Sequence, residues 1–216
     1  MILPFGSPEE VEAAIPRVIS HLTANGLIGY PTETVYGLGS LASDQGLDAL
    51  SRLKGRPPRK PFLLLISSRA MAERVGLVFT PAAAALAAAY WPGPLTLVLP
   101  GGEGVLPDRL RGAEGGIAVR HTSHRGMARL VERLGAPVTS TSANRSGGPP
   151  APGAPMVETL FSAAVDRGEL LVLDGGVLGN VPPSTLIDCT TEVPSLIREG
   201  AIPRAELRRA VGRFAP

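Results

Sequence analysis

Apolar residues occur along the chain in short runs and in stripes of helical spacing, with proline, glycine and small polar residues between them. The first stripe covers Val11, Ile15, Val18 and Leu22 and predicts an amphipathic helix. Ser7-Pro8-Glu9-Glu10 precedes it and has the composition of a capping box, with proline in the first turn. The stripe and its cap therefore predict a helix that ends at Asn25-Gly26.

The same analysis predicts both helices and short strands over the rest of the chain. A helix starting at Asp44 brings Lys54 and Arg56 to its C-terminal end, and Thr80-Pro81 caps an alanine-rich helix that ends at Trp91. Further helices are predicted at 68–75, 127–134, 157–165 and 205–214, the last of them basic. Strands are predicted at 27–30, 61–66, 95–99, 117–120, 137–141, 170–173, 185–188 and 195–198. Helices and strands do not alternate strictly, which favours a mixed-sheet α/β (α+β) domain over a doubly wound one.

Length and composition narrow the class of protein. With 216 residues the chain is long enough for one full core, and no apolar run reaches the roughly 20 residues of a membrane span. The net charge of +2 restricts any nucleic-acid binding to local patches. The start of the chain lacks the features of a secretion signal, and the one cysteine, Cys189, can form no internal disulfide. We therefore expect a cytoplasmic protein that does not bind a membrane. No Cys/His cluster predicts a metal site.

Three polar segments follow or precede predicted strands. Lys54-Gly55-Arg56-Pro57-Pro58-Arg59-Lys60-Pro61 places four cations within seven proline-stiffened residues, which suits a polyphosphate. The segment 31–37 is rich in hydroxyls and suits a small polar substrate, and 140–147 adds hydroxyls and the Asn144 amide. The Walker phosphate loop, the dinucleotide fingerprint and the GxSxG elbow are all absent from the sequence.

Each segment also has a purely structural interpretation. A charge run is usually a solvated loop, Thr32 and Thr34 are ordinary turn residues, and Cys189 fits a small buried side chain better than a nucleophile. The order of the motifs is more specific than any one of them. The ordered blocks are Pro31-Thr32-Glu33-Thr34-Val35-Tyr36-Gly37-Leu38, Lys54-Gly55-Arg56-Pro57, Trp91-Pro92-Gly93-Pro94-Leu95-Thr96, Val119-Arg120 with His124, Ser142-Ala143-Asn144-Arg145-Ser146-Gly147, Ser184-Thr185 and Arg198-Glu199-Gly200-Ala201-Ile202.

In these blocks the chain closely resembles the YrdC-like L-threonylcarbamoyl-AMP synthase family, over residues 27–202. About fourteen residues follow Ile202, so residues 1–216 look like the short, single-domain form with a basic C-terminal helix at 203–216. The resemblance implies a twisted mixed sheet, flanked by helices, around a large basic concave cavity. It implies that L-threonine, bicarbonate or CO2, and ATP with Mg2+ give threonylcarbamoyl-AMP and pyrophosphate. The product would pass to the machinery that makes the t6A modification of tRNA.

The resemblance also implies roles for individual residues. Lys54 and Arg56 match the catalytic cations on the ATP phosphates, and Lys60, Ser142, Asn144 and Arg198 match further ATP contacts. Thr34, Arg120, Ser140 and Ser184 match the threonine contacts, with Arg120 on the carboxylate. The glycine-rich loop 101–116 is the predicted mobile segment and a candidate cover for the pocket.

The chain departs from the family pattern in and near the threonine pocket. Relatives typically read Val-Arg-x-Pro-x-His, whereas this chain reads Val119-Arg120-His121-Thr122-Ser123-His124. The usual Pro-Ser-Ala-Asn is here Thr141-Ser142-Ala143-Asn144, and a common Glu-Ser-Thr run is here Pro183-Ser184-Thr185. Leu65 stands near the place where some relatives have histidine.

Two other functions compete with the synthase. A concave basic surface would suit double-stranded RNA or tRNA without catalysis, although the chain has few aromatic residues for base stacking. Related domains also occur in hydrogenase-maturation proteins that handle carbamoyl-adenylate, but those chains are much longer. ATP-dependent product formation would separate the synthase from the RNA-binding module, and carbamoyl phosphate as substrate would indicate the carbamoyl transferase.

Overall fold

The computed structural model of the chain describes residues 1–55, 61–179 and 181–215. The strands in these ranges are β1 (Ile2–Pro4), β2 (Leu27–Tyr30), β3 (Gly37–Gly39), β4 (Leu63–Ile66), β5 (Leu95–Leu99), β6 (Ile117–His121), β7 (Val138–Ser142), β8 (Leu170–Asp174), β9 (Thr185–Asp188) and β10 (Ser195–Arg198). The α-helices are α1 (Pro8–Thr23), α2 (Asp44–Lys54), α3 (Arg69–Arg74), α4 (Pro81–Tyr90), α5 (Arg125–Leu134), α6 (Ala154–Leu160), α7 (Ser162–Asp166) and α8 (Arg204–Val211).

The ten strands of the described ranges form one mixed sheet in the order β1-β8-β2-β3-β7-β4-β6-β5-β9-β10. The pairs β1/β8, β2/β8, β4/β6 and β5/β9 are parallel. The pairs β2/β3, β3/β7, β4/β7, β5/β6 and β9/β10 are antiparallel. The predicted mixed-sheet α/β fold with flanking helices is therefore confirmed.

Local sequence signals account for the first helix. Ser7 Oγ accepts from the Glu10 amide at 3.2 Å, and Glu10 Oε2 accepts from the Ser7 amide at 2.9 Å, which completes the predicted capping box. The stripe of Val11, Ile15, Val18 and Leu22 is buried in the core. The cap satisfies the free amides of the first turn while the stripe packs, so α1 begins and ends as predicted.

The remaining elements differ from the predictions mainly at their ends. The helix predicted at 157–165 is two helices, because Phe161 breaks the regular backbone between α6 and α7. The last helix, α8, ends earlier than predicted, at Val211. The three-residue strands β1 and β3 have no sequence prediction, because they are too short to show a period.

The loop 101–116 is tied to the core at several points. Leu106 and Leu110 are buried, and Arg111 Nη1 donates to the carbonyl oxygens of Gly101 and Gly115 at 2.8 and 3.0 Å. These contacts anchor the loop beside the β5–β6 hairpin, and its role as a mobile cover stays a prediction. In the ranges that the structure describes, no helix is both long enough and apolar enough to cross a membrane.

Candidate active site

The turn between β2 and β3 presents two buried threonine hydroxyls. Thr32 Oγ1 donates to the Val35 carbonyl at 2.7 Å and accepts from the amides of Thr34 and Val35 at 3.2 Å each. The two hydroxyl oxygens of Thr32 and Thr34 lie 3.1 Å apart. Either hydroxyl could be the donor in this contact. The turn therefore holds the two hydroxyls next to each other.

Arg120, near the end of β6, binds this hydroxyl from the opposite side. Its Nη1 and Nη2 both donate to Thr34 Oγ1 at 3.1 Å, and the residue is only 4% exposed. The two Arg120 N–H groups use both acceptor lone pairs of the Thr34 hydroxyl. A substrate group that donated to Thr34 would have to replace one of these contacts.

A second arginine lies close to the first. Arg198 Nη2 donates to the Ser184 carbonyl at 2.8 Å, and the Ser184 hydroxyl lies 2.8 Å from the hydroxyl of Thr96. Partial burial lowers the pKa of Arg198, and the positive charge of Arg120 lowers it further. Arg198 itself is exposed, and an anion bound beside the two guanidinium groups would relieve their repulsion.

Lys54, the last residue of α2, is held by the loop that follows β7. Its ammonium donates to the Ser142 and Asn144 carbonyls at 2.8 and 2.7 Å and to Asn144 Oδ1 at 2.6 Å. The Ser142 hydroxyl also donates to Asn144 Oδ1, at 2.7 Å. Lys54 is 7% exposed, and in the structure described its charged group orders this loop.

The two groups of residues meet through the β3–β7 pairing. Ser140 and Ser142 are two residues apart on β7 and so share one face of the sheet. Ser142 pairs with Gly37, and the Ala143 amide donates to the Tyr36 carbonyl at 2.7 Å. The Thr34 turn and the Lys54-bound loop are therefore neighbours at one edge of these strands.

The structure thus brings together two sets of the predicted residues. The first set contains Thr34, Arg120, Ser184 and Arg198, and the second contains Lys54, Ser142, Asn144 and the neighbouring Ser140. Arg56 and Lys60 lie outside the described residues. Their roles, and those of the two sets, stay predictions.

The predicted basic cavity also stays a prediction. A surface cleft of about 590 Å³ lies between the end of α1 and the turn before β8, and His21, Arg52, Arg167 and Glu169 line it with neighbouring residues. None of the predicted site residues that the structure describes lines this cleft.

Two residues outside the predicted set, Glu33 and Thr96, contact predicted site residues, and a third, Thr122, contacts Glu33. Glu33 Oε1 lies 2.6 Å from Arg120 Nη2, and Thr122 Oγ1 donates to Glu33 Oε2. Thr96 binds Ser184 as described above. Glu33 lies within the recognised 31–37 motif, and Thr122 replaces the proline of the family pattern. Both positions were therefore visible, but no spacing rule linked them to Arg120.

The structure also shows the environment of Cys189. Cys189 is buried, and burial, with a smaller effect from Asp188, raises the pKa of its thiol to about 12. A thiol of this kind is protonated at neutral pH and is a poor nucleophile. The interpretation of Cys189 as a small buried side chain is confirmed.

This fold and site define a class: a mixed-sheet α/β domain in which a buried arginine, Arg120, lies on the turn after β2, beside an ordered Ser/Asn loop. The family model for Sua5/YciO/YrdC proteins, described as "Telomere recombination", matches residues 20–200. The chain belongs to the Sua5/YciO/YrdC family.

Curated relatives and a solved structure agree with this assignment. The chain is 40% identical to a threonylcarbamoyl-AMP synthase of Thiobacillus denitrificans, over 85% of this chain and 95% of that protein. It is 36% identical to a threonylcarbamoyl-AMP synthase of Pyrococcus abyssi, over 95% of this chain but only 60% of that protein. The crystal structure of P. abyssi Sua5 complexed with L-threonine superposes with a TM-score of 0.87 at 31% identity, covering 99% of this chain and 62% of that one. The chain therefore spans about three fifths of the archaeal relative.

Proposed function

We propose that the chain is an L-threonylcarbamoyladenylate synthase, which forms threonylcarbamoyl-AMP and pyrophosphate from L-threonine, bicarbonate or CO2, and ATP. One observation carries the proposal. The buried guanidinium of Arg120 lies on the Thr34 hydroxyl and close to Arg198, in a family whose relatives bear the name of this synthase.

The amino-acid end of the proposed site consists of Thr34, Arg120, Ser140 and Ser184. Arg120 is the candidate for the threonine carboxylate, because a planar guanidinium can bind both carboxylate oxygens. Thr34 and Ser184 are buried hydroxyls that would bind the polar atoms of threonine. The solved P. abyssi relative with bound L-threonine supports this choice of amino acid.

The nucleotide end consists of Lys54, Arg56, Lys60, Ser142, Asn144 and Arg198. Lys54 supports it by ordering the loop that carries Ser142 and Asn144. Arg56 and Lys60 are proposed phosphate contacts on the basis of their motif alone. Mg2+ is proposed to arrive with ATP on its phosphates, where it neutralises developing charge. In residues 1–55, 61–179 and 181–215 no group of three or more His, Cys, Asp or Glu side chains could hold a metal ion.

The proposed chemistry needs no protein nucleophile. The threonine nitrogen bonds to the carbon of CO2 and loses a proton, which gives a carbamate. A carbamate oxygen then bonds to the α-phosphorus of ATP, and the bond from that phosphorus to the leaving pyrophosphate breaks. Both reactants are anions, so fixed cations that offset their repulsion and hold them in line account for the acceleration.

Location, domain organisation and partners are part of the same proposal. We propose a nucleotidyltransferase in the cytoplasm, with residues 1–216 acting as a single domain whose motif core is 27–202. The product would pass to the t6A-transfer machinery of tRNA modification. Direct binding of tRNA or double-stranded RNA is the competing function, and no contact described above favours it.

The test is a reconstitution with the purified chain. ATP, Mg2+, bicarbonate and labelled threonine should give labelled threonylcarbamoyl-AMP and an equal amount of pyrophosphate. Leaving out bicarbonate or threonine should abolish both products. Pyrophosphate release that ignores threonine would refute the proposal, and so would RNA binding without any adenylate.

A further inference from the structure

The buried charge of Arg120 has a partner that the predicted site does not contain. Arginine stays protonated at all physiological pH values, so a side chain this deeply buried needs a counter-charge. Within the described ranges, Glu33 is the carboxylate that pairs with it, with 2.6 Å between Glu33 Oε1 and Arg120 Nη2. Burial alone would raise the pKa of Glu33, but the Arg120 charge and the hydrogen bond from Thr122 outweigh it and lower that pKa. Glu33 is therefore ionised at neutral pH.

Glu33 is itself held in place by Thr122. The Thr122 hydroxyl donates to Glu33 Oε2 in a short hydrogen bond and accepts from the His124 amide at 3.2 Å. Thr122 is completely buried, so water cannot replace it. Thr122 follows Arg120 by two residues, whereas Glu33 precedes Thr34 in the facing turn. The chain Thr122–Glu33–Arg120–Thr34 thus ties the end of β6 to the turn after β2.

This pairing leaves part of the Arg120 guanidinium uncommitted. Although Glu33 Oε1 and Arg120 Nη2 are at ion-pair distance, among the described residues Glu33 Oε1 accepts no hydrogen bond and Arg120 Nε has no acceptor. The contact between these two groups is therefore an ion pair. Glu33 therefore holds the charge of Arg120 without using all of its N–H groups, and buried donors without acceptors favour an incoming carboxylate.

Resting on the proposed function, we propose that Glu33 is a positioning residue for the threonine pocket. It sets the place and orientation of the Arg120 guanidinium, and Thr122 sets the orientation of Glu33. Glu33 acts through Arg120, and the reacting atoms do not touch it.

The experiment measures threonine affinity and steady-state kinetics for four variants. Glu33→Gln keeps the size and the Thr122 contact but removes the charge. Thr122→Val removes the hydroxyl, Thr122→Ser restores it, and Glu192→Gln removes an exposed carboxylate as the matched control. Calorimetric titration with threonine alone needs neither ATP nor turnover, and the KM values for threonine and ATP complete the comparison.

We expect Glu33→Gln to weaken threonine binding and raise its KM about tenfold, with less than about a twofold change in the KM for ATP. Thr122→Val should shift the same parameter in the same direction, and Thr122→Ser and Glu192→Gln should match the wild type. Thr122→Val and Thr122→Ser carry the test if Glu33→Gln does not fold. Tighter threonine binding by Glu33→Gln would mean that Glu33 competes with the substrate carboxylate, and would overturn the inference, as would unchanged affinity. Absence of threonine binding by the wild type would instead refute the proposed function, and this inference with it.

Discussion

Replacing Lys54 with methionine tests whether the buried ammonium orders the Ser142–Asn144 segment. Methionine keeps most of the apolar stem and removes three hydrogen bonds of 2.6 to 2.8 Å. One charge-assisted bond contributes about 1.5–3 kcal/mol, and bonds that share one group are not additive. Two of the three acceptors keep another donor, since Ser142 O retains the Asn144 amide and Asn144 Oδ1 retains the Ser142 hydroxyl. The expected loss in the free energy of unfolding is therefore about 2–3 kcal/mol.

That loss corresponds to a drop in Tm of about 4–12 °C for a domain of this size. Arg52→Met removes an exposed cation from the same helix and should cost less than about 0.5 kcal/mol. Trypsin provides a local measurement, because the exposed Arg145 lies within the loop, next to Asn144, and should be cut faster once the loop loosens. If Lys54→Met melts like Arg52→Met and resists trypsin like the wild type, the ammonium does not order this loop.

Three further predictions concern the amino-acid end of the site and its histidines. Arg120→Lys should raise the threonine KM about tenfold or more at saturating ATP, because an ammonium cannot bind both carboxylate oxygens in one plane; an unchanged KM would separate Arg120 from the carboxylate. Thr34→Val removes the acceptor of two Arg120 N–H groups and should raise the threonine KM about 5- to 150-fold while leaving the KM for ATP nearly unchanged; equal kinetics would make Thr34 only a turn residue. Burial lowers the pKa of His121 and of His124, and the charge of Glu33 opposes this effect. As the pH falls through about 6.5, the unfolded state therefore binds more protons than the folded state, and the free energy of unfolding should decrease as the pH decreases. Denaturant titrations at about pH 7.5 and about pH 5.5 measure this loss. In the double variant His121→Gln, His124→Asn, the asparagine preserves the helix cap of α5. If this variant loses as much stability between the two pH values as the wild type does, the two histidines are not the cause.

The fold was predictable wherever a local signal decides the structure. The Ser7–Glu10 capping box and the Thr80 cap need only nearby residues, and both helices begin where these caps predict. The break at Phe161 was not predictable, because the apolar pattern continues through it into α7. The strand order was not predictable from the sequence either, because β8 lies between β1 and β2 in the sheet although it is far from both along the chain.

The sequence predicts a set of candidate site residues, but it does not predict the contacts between them. Lys54 was assigned to phosphate by its motif, whereas the described contacts join it to Ser142 and Asn144, about 90 positions further along. No spacing rule joins residues so far apart. Thr122 shows the same limit in reverse. The sequence marked it as a departure from the family pattern, and only its contact with Glu33 explains what a hydroxyl does there.

The most direct test of the proposed synthase activity follows the carbon of bicarbonate into the product. The purified chain is incubated with ATP, Mg2+, threonine and 13C-bicarbonate, and the adenylate is analysed by mass spectrometry. A synthase predicts threonylcarbamoyl-AMP that carries the label in its carbamoyl group, in an amount equal to the pyrophosphate released. Threonyl-AMP without the labelled carbon, or no adenylate from a folded protein that binds threonine and ATP, would contradict the proposed function.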